Sequence, residues 1–292
     1  MGSTVRTADG RTLTAQEWGD PDGTAVLLLH GTPGSRLGIA PARTLDRRPG
    51  VRFFAYDRPG YGGSDRAEGR DVAHCAQDAA AVADALGIRS FAVLGRSGGG
   101  AHALACAALL PGRVTATAAL VAPAPRDGEG LDWFAGMTPY NVREYTLALR
   151  GTEALTASLA PQAASIREDP GLLLAEISQG LSPSDAEALA EPATRAMLLT
   201  NYRTALGTSA DGWIDDCLAL ARPWGFDPAD IPGRVLLWHG AQDAFSPVGH
   251  FHWLAHWIPH AEATLAEGMG HFGALTAFDD VLDRLLNPKE TP

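Results

Sequence analysis

Apolar residues arrive in short unbroken runs, each stopped by glycine or proline. They are "AVLLLHG" at 25–31, "VRFFAYDRPG" at 51–60, "FAVLG" at 91–95, "VTATAALVAP" at 114–123 and "RVLLWHG" at 234–240. Strands that are apolar at every position, rather than alternately, belong to a sheet covered on both faces. Between them, "DVAHCAQDAAAVADALG" (71–87) and "GGGAHALACAALLPG" (98–112) carry helical patterns. The start, "STVRTADGRTLTAQEWGD", alternates instead, and Asp9-Gly10 at its middle is a hairpin signal. Strand–helix alternation at this rhythm predicts a mostly parallel α/β sheet with right-handed crossovers and an N-terminal antiparallel hairpin.

One stretch breaks the rhythm. From Pro123 to Gly225 no buried strand is legible, and patterns such as "DWFAGMTPYNVREYTLALRGTEALTASLA" and "SDAEALAEPATRAMLLTNYRTALG" are helical and polar-faced. About a hundred residues is too long for a plain loop in a compact domain. The prediction is a helical insertion over 123–225 in a core made of 1–122 and 226–292. Its Trp133, Phe134, Met137, Tyr140, Trp213 and Trp224 either line a pocket beneath it or pack its own small core.

Composition narrows the partners. The 292 residues are 46% hydrophobic and 20% charged, which opposes disorder. A net charge of −11 disfavours nucleic acid and anionic membrane surfaces, and no apolar run reaches the length of a membrane span. The opening "MGSTVRTADGRT" shows no secretory leader, and Cys75, Cys106 and Cys217 are scattered without metal or disulfide spacing. The expectation is a soluble cytoplasmic protein acting on a small molecule, with its oligomeric state left open.

The chemistry centres on "AVLGRSGGG". Gly95-Arg96-Ser97-Gly98-Gly99 is a G-x-S-x-G pattern that follows a predicted strand and opens a predicted helix. Glycines two before and two after the serine allow a sharp turn, and the helix start aims free N–H groups beside the hydroxyl. No phosphate-loop or dinucleotide pattern accompanies it. A serine nucleophile needs a base and the base needs an orienting acid. His271 in "EGMGHFGALTAF" follows the last strand-like run, 262–265, and Asp243 in "VLLWHGAQDAFSP" lies three residues past its strand. Both would reach the carboxyl edge of the sheet.

Taken together, "HGTPGS" (30–35), "YDRPGYGGSD" (56–65), "GRSGG" (95–99), "HGAQDAFSP" (239–247) and "GMGHF" (268–272) resemble the α/β-hydrolase superfamily along essentially the whole chain. The resemblance implies a Ser97–Asp243–His271 triad and an oxyanion hole from the Thr32 and Gly98 amides. It makes the 123–225 insertion a lid and requires no metal or organic cofactor. Some members keep the acid after an earlier strand, where this chain has Asp127. A serine at 97 speaks against relatives with an aspartate nucleophile. Arg96, Trp133, Met137 and Phe245 are candidate substrate contacts; Arg96 could equally form a salt bridge across the turn.

The leading expectation is hydrolysis of a small carboxylic ester or lactone through an acyl-enzyme on Ser97. The same fold hosts other chemistry. Alternatives are cleavage of a carbon–carbon bond or a non-hydrolytic biosynthetic step. A proline-iminopeptidase-like aminopeptidase is another, with Glu129 or Asp132 holding an amine, and a catalytically weak ligand receptor is the last. The histidine-rich "GHFHWLAHWIPH" (His250, His252, His256, His260) lacks a carboxylate at metal-site spacing and reads as a partly exposed helix stripe. His30 reads as a structural hydrogen-bonder, and His102 as pointing away from Ser97.

Overall fold

A computed structural model describes residues 2–40, 42–179 and 181–287. The elements run β1 (Ser3–Arg6), β2 (Thr12–Gly19), β3 (Thr24–Leu29), α1 (Ala42–Arg47), β4 (Val51–Tyr56), α2 (His74–Ala85), β5 (Phe91–Arg96), α3 (Gly98–Leu109) and β6 (Val114–Leu120). Then come α4 (Pro139–Arg150), α5 (Thr152–Glu168), α6 (Gly171–Ile177), α7 (Pro183–Ala190), α8 (Pro192–Ala205) and α9 (Asp211–Leu220). The chain closes with β7 (Val235–Gly240), α10 (Val248–Trp257), β8 (Ala261–Ala266), α11 (Gly273–Thr276) and α12 (Phe278–Leu286).

The eight strands form one sheet in the order β1-β2-β4-β3-β5-β6-β7-β8. The β1–β2 and β2–β4 pairs are antiparallel and the rest parallel, as the opening hairpin and the later unbroken runs predict. Successive side chains go to opposite faces. Val26 and Leu28 pack with Phe53, Leu94 and α12, whereas Leu27 and Leu29 pack with Phe54, Val93, α2 and α3. Both faces are therefore covered, which is why these strands do not alternate.

From β3 the chain first goes to β4 on one side, then crosses to β5 on the other. The crevice between the carboxyl ends of β3 and β5 is thus a switch point, where ligands bind in open α/β sheets. Helices α4–α9 stand between β6 and β7 and share an apolar cluster that includes Leu155, Leu159, Leu198 and Trp213. Phe272 and Leu275, from beyond β8, complete that cluster.

Two helical expectations need correction. Residues 131–138 are turns rather than helix: Gly136 has φ +81°, and α4 begins only at Pro139, capped by the Thr138 hydroxyl accepting from the Asn141 amide. The pattern over 184–207 is broken at Pro192, which lacks the N–H to continue a helix and instead starts α8. The histidine stripe on α10 is partly exposed, as expected. His252 and His256 are exposed, but His250 is buried, accepting from the Ala124 amide and donating to the Trp133 carbonyl, each at 3.0 Å. Burial pulls its pKa down to about 4, so it stays neutral and ties α10 to the segment entering the helical region. Cys75 and Cys106, far apart in sequence, meet side by side as free thiols.

Candidate active site

Ser97 sits between β5 and α3 with φ 57° and ψ −129°, a conformation that L-residues rarely hold. The flanking glycines are steric necessities. A Cβ on Gly95 would run into the Gly99 carbonyl, and one on Gly99 into the Leu29 carbonyl of β3. The turn is this tight because α3 packs directly on the strands beneath it.

His271 lies just past β8, and its Nδ1–H donates to Asp243 Oδ2 at 2.8 Å. The other oxygen of Asp243 accepts from the amides of Phe245 and Ser246 at 2.8 and 3.0 Å. Burial alone would push this carboxyl up, but the facing His271 imidazole, His239 and the Ser246 amide together outweigh it, so Asp243 lies below the usual carboxylate range. His239, on β7, stands 3.5 Å from Asp243 and donates to the Ser246 carbonyl, bracing the loop. Asp127 is exposed and makes no contact with His271.

Ser97 and His271 open into one cavity with about 70 Å³ of room for the centres of water-sized molecules. Thr32, Gly98, Arg96, Trp133, Met137 and Phe245 all border it, so the candidate oxyanion-hole residues and these four candidate substrate contacts reach one site. Tyr140 also borders it; Trp213 and Trp224 are instead buried in packing. Glu129 and Asp132 are exposed and border a separate surface groove, so neither reaches this cavity.

Three acidic residues of the site escaped the sequence reading. Asp216, on α9, is fully buried and binds Arg58 at 2.5 Å, Arg70 at 2.7 Å, the Tyr61 hydroxyl at 3.0 Å and the Thr32 hydroxyl at 2.6 Å. Burial opposes its charge; Arg58 and Arg70 outweigh burial and hold it well below the usual range. Arg58 also donates to the carbonyls of His30 and Gly31, and its amide donates to His30 Nε2 at 3.1 Å. The loop carrying Thr32 is therefore fixed from α9. Two aspartates in the otherwise apolar "WIDDCLAL" were the available signal, since buried carboxylates demand cations. His102 points into this network, 4.0 Å from Asp216, and burial takes its pKa to about 3.

Asp185, on α7, accepts from the backbone amides of His271 at 3.0 Å and Phe272 at 2.7 Å. No local pattern marks it, because its partners lie some 86 positions away. Glu144, on α4, is buried and borders the cavity, with Oε1 unpartnered. Burial drives its carboxyl up to about 7; the nearby Tyr140 hydroxyl and Trp213 indole act against this from outside hydrogen-bonding geometry.

The sequence of residues 24–278 matches the family model for the alpha/beta hydrolase fold. The chain belongs to the α/β-hydrolase family. A non-heme chloroperoxidase of Streptomyces lividans is 39% identical over 124 residues, 42% of this chain and 45% of that one. The chain spans less than half the length of the curated relatives it matches first. A 2-hydroxymuconate semialdehyde hydrolase of Pseudomonas putida is 27% identical over 86% of this chain and 82% of its own. Among solved structures, the esterase RhEst1 from Rhodococcus shares the fold at a TM-score of 0.67 and 22% identity, each chain covered to 98%. Among the described residues no three His, Cys, Asp or Glu side chains are placed to hold a metal ion, and no helix is long and apolar enough to cross a membrane.

Proposed function

We propose that this α/β hydrolase cleaves a small carboxylic ester or lactone through an acyl-enzyme on Ser97. The observation that carries the reading is Ser97, strained at the head of α3, sharing a cavity with an imidazole whose Nδ1–H is held by Asp243. That hydrogen bond leaves His271 Nε2 as the acceptor for the serine proton. Serine oxygen attacks the acyl carbon, His271 takes the proton, and the same proton leaves with the alcohol. Water then repeats the attack and returns Ser97. Asp243 fixes the tautomer and stabilises the imidazolium.

The Gly98 and Thr32 amides serve the tetrahedral oxyanion. Neither is consumed by another hydrogen bond, and a Cβ on Gly98 would meet Thr32 Oγ1 at 2.5 Å, so the two residues face each other across the site. Each such donor is worth about 3–4 kcal/mol of transition-state stabilisation. The 123–225 insertion, with helices α4–α9, acts as a lid, and Asp185 ties it to the His271 loop.

The test is hydrolysis of p-nitrophenyl esters from acetate to decanoate by wild type and Ser97→Ala. Turnover confined to wild type and to short chains is expected. Equal turnover in the alanine variant would refute the acyl-enzyme. The likeness to a semialdehyde hydrolase over most of the chain motivates a second reading, carbon–carbon cleavage by the same His–Ser pair. It would show as turnover of a vinylogous diketone with none of any ester.

A further inference from the structure

Arg96 immediately precedes the nucleophile, is only 6% exposed and borders the cavity. A guanidinium keeps its charge at neutral pH, and buried charges in folded proteins are paired. The two other deeply buried arginines obey this rule, Arg58 and Arg70 both binding Asp216. Arg96 does not: among the described residues it has no salt bridge, and its buried Nε has no hydrogen-bond partner. The Phe272 ring is centred 5.8 Å from its guanidinium carbon, and the Tyr202 side chain lines the same cavity and acts on it electrostatically without a hydrogen bond to it among the described residues. Asp243 and Asp185 act on it from a distance, but their oxygens are engaged with the His271 loop. Glu144 borders the same cavity and is not paired with it either.

The position of the guanidinium says where its missing anion would lie. A Cβ on Gly31 would stand 3.4 Å from the Ser97 Cβ and 3.9 Å from Arg96 Nη2, so nucleophile and cation flank one glycine. Phe272 backs the cation and holds the planar fork in place, in a setting with little water to compete for it.

We infer that Arg96 is the receptor for a carboxylate of the substrate, so that the enzyme takes a short ester or lactone carrying a free carboxylate close to the scissile carbonyl. The inference rests on the acyl-enzyme reading above and adds the substrate class. The tight space around Ser97 favours a half-ester of a short dicarboxylic acid over a long acyl chain. The bound anion would neutralise a cation otherwise left uncompensated, so binding and burial reinforce each other.

The experiment compares monoethyl esters of succinic, glutaric and adipic acid with the same esters bearing a terminal amide in place of the carboxylate, followed in a pH-stat. Wild type should prefer the best acid over its amide by about 10- to 100-fold in kcat/KM, the range of a charge-assisted hydrogen bond. In Arg96→Gln that ratio should fall to near one, and in Arg96→Lys it should recover in part. A wild-type ratio near one, with turnover of both series, overturns the inference and leaves the acyl-enzyme reading standing. If wild type turns over no ester, calorimetric titration with glutarate and with glutaramide decides the matter. Binding of the dianion, lost in Arg96→Gln and not shown by the diamide, supports the receptor. Absence of glutarate binding overturns it. Circular dichroism of both variants, and the wild-type ratio itself, keep the test independent of any folding defect.

Discussion

Glu144 offers a direct test of what burial does to a charge in this protein. Its carboxyl is raised from 4.5 to about 7 because the side chain is buried with one oxygen unpartnered. Below pH 4.5 both folded and unfolded chains hold the proton. Between 4.5 and 7 the unfolded chain releases it and the native chain does not, so the native state binds more protons and stability falls as pH rises. At about 1.4 kcal/mol per pKa unit, the full loss reaches about 3 kcal/mol above pH 7.5. Glu144→Gln removes the titration, while any cost of burying the amide is independent of pH. Urea unfolding of both proteins from pH 4.5 to 8.5 isolates the effect, because every other group cancels in the difference. The variant should gain on wild type by about 3 kcal/mol across that range. A difference constant to within about 0.5 kcal/mol would refute the reasoning.

Three further outcomes follow from the same contacts. Ser97→Gly should be more stable than Ser97→Ala by about 1–2 kcal/mol in urea, reversing the usual order, since only glycine relaxes at φ 57° and ψ −129°; equal stabilities would mean the turn is unstrained. Asp216→Ala leaves Arg58 and Arg70 buried without a counter-charge and should cost about 3–5 kcal/mol; a loss under about 1 kcal/mol would place the compensation elsewhere. Asp185→Ala strips the acceptor from the His271 and Phe272 amides. It should cost about 2–3 kcal/mol and lower kcat more than it raises KM, because the imidazole loses its seat; unchanged kcat would make Asp185 a purely structural cap.

The sequence by itself determined the sheet and marked the candidate serine and histidine at its edge. Unbroken apolar runs such as "AVLLL" mark strands covered on both faces, because a strand with one wet face must alternate. Ser97 was legible because a strained turn needs its glycines within a few residues, and His271 and Asp243 because each closes a strand of its own. These are short-range constraints, written where they act. Tertiary structure decided what depends on distant neighbours. That Asp243 rather than Asp127 meets His271, that Asp216 fixes the Thr32 loop, and that Asp185 seats His271 all require segments far apart in sequence to pack. The same holds for Glu144, polar in sequence and buried in the fold, while Glu129 and Asp132 on the neighbouring segment stay in solvent. Periodicity tells which face of an element is apolar, but a carboxylate's partner is chosen by the packing that removes it from water, and that partner is recorded in no local pattern.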